Sequence, residues 1–321
     1  MYTDLTGRQL EEYRSSQVDP PDFDEFWGRT LSEARELPVK VELSDVDSPL
    51  RALTVQDVRF NGFGGERIAG WLRRPVGARG PLPTVVQYIG YGGGRGLATE
   101  SLFWAACGFA HLQMDTRGQG GAWSVGATPD RSQSGPRFPG MMTAGIEDRE
   151  QYYYRRLITD AVRLLDAAGE IDGIDPARIA CYGSSQGGGL ALAASSLSDV
   201  PKAALCCVPF LCDFPRAIGI TDENPYREIS KFLAVQRELA PIALSTLSYF
   251  DGVNFARRAR ARAWFTAALM DPICPPSTVF GAYQAYAGPK EITVWEYNGH
   301  EGGASLDEAR FAVALHELFG E

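Results

Sequence analysis

The sequence predicts an α/β chain with a mostly parallel central sheet and helices on both of its faces. Three observations carry this. Short apolar runs without alternation recur along the chain, helical stretches separate them, and one run turns through a glycine-flanked serine into a small-residue helix. A strand buried on both faces has no polar side to alternate with, so such runs mark the interior of a covered sheet.

The elements follow in order. Residues 1–50 read as an N-terminal extension, in which Asp22 to Glu36 forms a helix that Pro38 ends. Leu53 to Phe60 and Ile68 to Leu72 alternate, with Gly62, Gly64 and Gly65 between them, and read as a hairpin on the antiparallel edge. Covered strands are then expected at Pro83–Ile89, Ala110–Met114, Ile179–Tyr182, Ala203–Val208, Ala263–Leu269 and Ile292–Glu296. Residues 121–146, rich in Gly, Ser and Pro, read as a long loop and a candidate interface element. Residues 213–258 read as a helical insertion that caps the carboxyl ends of the strands. The pattern suits a single domain over residues 1–321.

Composition narrows the function. A formal net charge of −9 with a pI near 5.0 is the wrong sign for a nucleic-acid binder and disfavours an anionic substrate. The N-terminus has neither a basic n-region nor an apolar h-region, so no signal peptide is expected. The most apolar stretch, Ala203–Cys212, is short and contains Pro209, so no membrane span is expected. Cys107, Cys181, Cys206, Cys207, Cys212 and Cys274 form no CxxC pair and read as buried free thiols, with Cys206–Cys207 as a minor metal or redox alternative. No zinc-binding constellation is present, and no metal or cofactor is expected.

Gly183-Ser184-Ser185-Gln186-Gly187 matches G-x-S-x-G between a strand and a helix. This chemistry needs a nucleophile exposed on a sharp turn, with helix N-terminal amides facing the developing oxyanion. Ser184 competes with Ser185, but only Ser185 has glycine two residues away on both sides. A serine needs a base. Of the three histidines, His111 sits in an apolar strand and His316 in a C-terminal helical pattern, whereas His300 lies in the loop after the last strand. The acid is expected between the two in chain order. Asp271 ends the strand beside that of the histidine, while Asp213 lies one strand earlier and Asp222 and Asp251 fall in the insertion. The Gly90-Tyr91-Gly92-Gly93-Gly94 loop follows the first covered strand, so the Tyr91 and Gln186 amides are the expected oxyanion donors. Arg117-Gly118-Gln119-Gly120 reads as a structural turn pinned by an Arg117–Asp115 pair, and Arg257, Arg258, Arg260 and Arg262 as a solvated face.

Taken in order, Gly90-Tyr91-Gly92-Gly93, Arg117-Gly118-Gln119, Gly183 to Gly187, Met270 to Thr278 and His300-Glu301 resemble the cephalosporin C deacetylase and acetyl xylan esterase family. This is carbohydrate esterase family seven, within the α/β-hydrolase superfamily. The resemblance runs from Phe23-Asp24-Glu25-Phe26-Trp27 to the C-terminal region. It implies the α/β-hydrolase fold and a serine esterase that removes acetyl groups from small sugars, xylo-oligosaccharides and cephalosporin C. It also implies a homo-hexamer and a cytoplasmic location. A peptidase or dienelactone-type hydrolase on the same fold, and a non-catalytic binding relative, are the alternatives.

Overall fold

The computed structural model describes residues 1–132 and 139–320. The chain enters through α1 (Gly7–Glu12) and α2 (Phe23–Arg35). Trp27 donates its indole N–H to the Tyr249 carbonyl at 2.9 Å and packs edge-on against Phe250 at 5.6 Å. The extension thus lies against the 213–258 insertion. Trp27 is fully buried, and its truncation to alanine costs about 3–5 kcal/mol on the scale of core aromatics.

Among the described residues nine strands form one sheet: β1 (Glu42–Asp45), β2 (Leu53–Asn61), β3 (Arg67–Pro75), β4 (Leu82–Tyr88), β5 (Ala110–Met114), β6 (Ile174–Ser184), β7 (Ala203–Cys207), β8 (Arg262–Ala268) and β9 (Lys290–Trp295). Their order is β1-β2-β3-β5-β4-β6-β7-β8-β9. The first three strands pair antiparallel, β3 meets β5 antiparallel, and the pairings from β5 across to β9 are parallel. This is the mostly parallel sheet of the α/β-hydrolase fold, with the hairpin on its antiparallel side as expected. β1 was not expected; its four residues are all exposed, so no buried face marks it in the sequence.

The absence of alternation now has its cause. Val85 belongs to one apolar cluster, with Phe109, Ala180, Leu205 and Leu315, and the neighbouring Val86 to the other, with Cys181, Ala204 and Leu190. Both faces of the strands are covered. One face carries α4 (Tyr153–Ala168) and α5 (Gln186–Leu197), and the other α3 (Phe103–Ala106) and the C-terminal helix described below. Between β4 and β5 only the four residues of α3 are helical. The glycine-rich segment from Gly90 to Gly96 opens that connection.

The insertion after β7 contains α6 (Phe214–Ile220), α7 (Tyr226–Val235), α8 (Ala240–Ser248) and α9 (Gly252–Ala256). It is followed by α10 (Pro276–Ala285) after β8 and α11 (Ser305–Phe319) after β9. Of the 121–146 loop, residues 133–138 lie outside the described residues; the rest is neither helix nor strand. The cysteines are free thiols, and all but Cys107 are buried. Arg257 and Arg258 are half-buried rather than a solvated face. Arg257 donates to the Gln17 carbonyl at 2.7 Å, and Arg258 pairs with Asp19 at 2.9 Å and with Asp24. The arginines therefore fasten the extension to the insertion, a long-range pairing that charge spacing cannot reveal. Among the described residues no helix is long and apolar enough to cross a membrane.

Candidate active site

β6 ends at Ser184 and α5 begins at Gln186, so Ser185 occupies the turn between them. Its φ of 56° and ψ of −122° lie in a region that non-glycine residues avoid, at a cost on the order of 1–3 kcal/mol. The surroundings hold it there. Ser185 donates its N–H to the Cys207 carbonyl at 3.0 Å, and its own carbonyl accepts from Phe210 at 2.9 Å and Gly189 at 3.0 Å. The flanking glycines are required by contact. A Cβ on Gly183 would stand 2.2 Å from the Gly187 carbonyl carbon, and one on Gly187 would stand 2.2 Å from the Tyr88 carbonyl oxygen. Since the Ser185 N–H is engaged, the first amide of α5 that is open by geometry is that of Gln186, which has no intrahelical acceptor.

Asp271 and His300 follow β8 and β9, two adjacent parallel strands, so the carboxyl ends of those strands bring them together. His300 Nδ1 lies 2.8 Å from Asp271 Oδ2. The other carboxylate oxygen accepts from the amides of Ile273 at 2.8 Å and Cys274 at 3.0 Å, and Asp271 is fully buried. A carboxylate at Nδ1 places the ring proton there and leaves Nε2 as the proton acceptor. His300 and Ser185 line the same cavity.

The competing acids are occupied elsewhere. Asp213 Oδ2 accepts from the Tyr13 hydroxyl at 2.7 Å. Asp251 caps α9 and accepts from the amides of Asp213, Phe214 and Val253. Asp222 is exposed and pairs with Arg227 at 2.7 Å. Of the other histidines, His111 is buried between Arg73 and Gln87, and His316 stacks on Phe109 at 4.7 Å.

Tyr91 stands at the start of the glycine loop and lines the cavity. Its carbonyl accepts from the Trp123 indole at 2.8 Å, and its hydroxyl donates to Glu228 of α7 at 2.9 Å. Glu228 also accepts from the amides of Gly140 at 3.1 Å and Met142 at 3.2 Å. Burial, and then the Glu228 charge, push the Tyr91 hydroxyl far above its ordinary value, so it remains a neutral donor. Glu228 escaped the sequence reading because nothing in α7 distinguishes it from a surface glutamate. The same holds for Asp307, which accepts from the Gly303 amide at 2.9 Å and closes the loop carrying His300.

The Arg117-Gly118-Gln119 turn is structural, but its partner is not Asp115. Arg117 is fully buried and makes a two-pronged pair with Asp160 of α4 at 2.5 and 2.8 Å. Asp115 instead accepts from the amides of Arg95 at 2.7 Å and Ala127 at 2.6 Å, so it shapes the loops around it. Gln119 reaches the glycine loop: its Oε1 accepts from the Gly92 amide at 2.6 Å.

The cavity holds about 400 Å³ and is also walled by Trp123, Asn224, Pro225 and Ile273, so the insertion does cover the strand ends. Asp271, Cys274 and His300 place possible ligand atoms within 4.8 Å of one another. Asp271 and His300 are spent on each other, however, and burial followed by the Asp271 charge pushes the Cys274 thiol well up.

The chain matches the acetyl xylan esterase (AXE1) family over residues 1–317. It is similar to the solved acetyl xylan esterase from a Paenibacillus species, with 41% identity, a TM-score of 0.90 and coverage of 97% of this chain and 99% of that one. Acetyl xylan esterase 1 from a Thermoanaerobacterium species superposes with a TM-score of 0.88 at 30% identity, covering 98% and 99% of the two chains. The acetyl esterase Axe7A of Xylanibacter ruminicola is 29% identical over 288 residues, which are 88% of this chain; the match spans 64% of that relative's length. A puromycin hydrolase, at 20% identity and a TM-score of 0.64 over 85% of this chain and 41% of that one, shares the fold.

Proposed function

The chain belongs to the acetyl xylan esterase family, and from that premise we propose that it is a serine esterase acting on small acetylated sugars, xylo-oligosaccharides and cephalosporin C. The observation that carries the reading is the Asp271–His300 contact of 2.8 Å beside a serine on a strained turn. Ser185 Oγ attacks the ester carbonyl while His300 Nε2 takes its proton. Asp271 holds the imidazole in the tautomer that permits this and stabilises the imidazolium that results. The Tyr91 and Gln186 amides receive the oxyanion. His300 then returns the proton to the departing sugar oxygen, leaving an acetyl group on Ser185. Water, deprotonated by the same histidine, repeats the sequence and releases acetate. No metal or cofactor enters these steps.

The test is direct. Ser185→Ala should lower acetyl-ester turnover by several orders of magnitude, to a residue of about 10³–10⁴ over water. Ser184→Ala should retain most of the activity, and a fluorophosphonate should label the wild type but not Ser185→Ala. Comparable loss from Ser184→Ala alone would move the nucleophile. Hydrolysis of aminoacyl amides in preference to acetyl esters would make the protein a peptidase. The motif resemblance is the ground for a homo-hexamer in the cytoplasm. Sedimentation near six times 35.0 kDa checks the first, and fractionation of the native cell checks the second.

A further inference from the structure

We infer that Gln119 is a positioning residue for the reaction, because its side chain sets the spacing between the two oxyanion donors. This rests on the donor assignment above and adds to it the device that holds the donors in register.

The two amides come from parts of the chain nearly a hundred residues apart. Tyr91 lies on a loop after β4, and Gln186 opens the helix after β6. An oxyanion hole works only if both N–H groups point at one spot before the charge arrives. Glycine loops do not hold such geometry by themselves. Here a closed ring of hydrogen bonds does so. The Gln119 Oε1 accepts from the Gly92 amide at 2.6 Å, one residue beyond the Tyr91 donor. The Gln119 Nε2 donates to the Gln186 Oε1 at 2.9 Å, on the residue that carries the second donor. The Gln186 Nε2 then donates to the Ile89 carbonyl at 3.0 Å, which returns the ring to the first loop.

Each member is oriented from outside the ring. Tyr154 donates its hydroxyl to the Gln186 Oε1 at 2.9 Å, and the Tyr153 hydroxyl accepts from the Gln119 Nε2 at 2.9 Å. Tyr153 in turn donates to the Arg117 carbonyl at 2.6 Å. These donor and acceptor roles leave one consistent orientation for each amide group. Gln119, Gln186, Tyr153 and Tyr154 are all fully buried, so the ring is dry and its bonds are not exchanged for water. The Arg117–Asp160 pair anchors the segment from behind, through the core. Gln119 does not reach the cavity lining, so it acts through the donors and not on the substrate.

The ring has a chemical signature that a merely structural glutamine lacks. The ground-state ester leans little on the donors, whereas the tetrahedral intermediate depends on them. Misplacing catalytic groups by about 1 Å costs on the order of 10²-fold in rate.

The experiment compares wild type with Gln119→Met, which keeps length and loses both hydrogen-bonding ends, and with Gln119→Glu, which keeps the acceptor for Gly92 and, as a carboxylate, has no proton to donate to Gln186. Active sites are counted by fluorophosphonate titration, so that unfolded protein does not enter the rates. Per titrated site, kcat on an acetyl ester should fall about 10- to 100-fold in Gln119→Met with KM within about twofold. Binding of a trifluoromethyl ketone, which forms a tetrahedral adduct on the serine, should weaken by the same factor. Gln119→Glu should lie between the two. If Gln119→Met does not fold, Gln119→Glu carries the same kcat and ketone comparison. Rates per site and ketone affinities within twofold of wild type would overturn the inference while leaving the esterase reading intact. Absence of acetyl-ester hydrolysis by the wild type would overturn that reading instead.

Discussion

Oδ2 of Asp271 meets Nδ1 of His300 at 2.8 Å, while its other oxygen is held by the Ile273 and Cys274 amides. The carboxylate is thereby fixed in rotation before it touches the imidazole. Both oxygens are thus engaged in a fully buried place, two amides on one and the imidazole on the other. Asp271→Asn should keep these contacts in outline but hold the wrong imidazole tautomer. Turnover should fall by about 10⁴ with KM little changed. Asp213→Asn, which alters the contact with Tyr13, should leave turnover near wild type. Steady-state kinetics on an acetyl ester decide the matter, and the reverse ranking would transfer the acid role to Asp213.

Much of this arrangement was legible in the sequence, and the reason is local. Gly183 and Gly187 are there because backbone touches backbone at the turn, and that requirement writes itself into a five-residue window. Asp271 and His300 were found because parallel strands deliver their carboxyl ends to one edge. What stayed hidden is pairing across long sequence distance. Arg117 was matched to its neighbour Asp115, whereas its partner Asp160 comes from a helix more than forty residues on. Glu228 looks like any surface acid until the fold sets it against Tyr91. β1 has no buried face, so no periodicity announces it.

Metal dependence gives a second test. Asp271, Cys274 and His300 place possible ligand atoms close together, but the proposed mechanism spends the Asp271–His300 pair on proton transfer and routes no step through a metal. Exhaustive EDTA treatment should leave full activity, and added zinc should not raise it. A loss with EDTA that zinc restores would require a different mechanism.

A third prediction concerns stability. Burial, then the nearby Asp213 charge, raises the Asp251 carboxyl to about 7 from the ordinary 3.8. A carboxyl raised in the folded state is protonated there while the unfolded chain already ionises. Its contribution to stability is therefore complete below about pH 4 and is lost as pH rises through about 7. Asp251→Asn cannot titrate at this site. The Tm difference, wild type minus Asp251→Asn, should shrink on going from pH 5 to pH 8 in thermal melts. A difference that widens with pH would mean the carboxylate is the stabilising form, held by the Asp213, Phe214 and Val253 amides.

The last prediction is about acyl size. Tyr91 is a bulky wall of the cavity, and it is pinned at both ends, by the Trp123 indole on its carbonyl and by Glu228 on its hydroxyl. Its hydroxyl also accepts from the Met141 amide at 3.0 Å. A wall held at three points cannot swing aside without losing several buried hydrogen bonds, each worth about 0.5–1.5 kcal/mol and more where a charge takes part. One extra methylene in a yielding apolar pocket changes discrimination by only about 1–3 kcal/mol. Against a rigid wall the penalty for butyryl should exceed that range per methylene. Glu228→Gln keeps the shape but weakens the clamp, because a neutral amide accepts less strongly from the hydroxyl and from the Gly140 and Met142 amides. The ratio of kcat/KM for acetyl over butyryl esters should therefore drop severalfold in Glu228→Gln, chiefly through a gain on butyryl. An unchanged ratio would place the acyl wall elsewhere in the cavity, and Trp123→Ala measured with the same two esters would then test the opposite side.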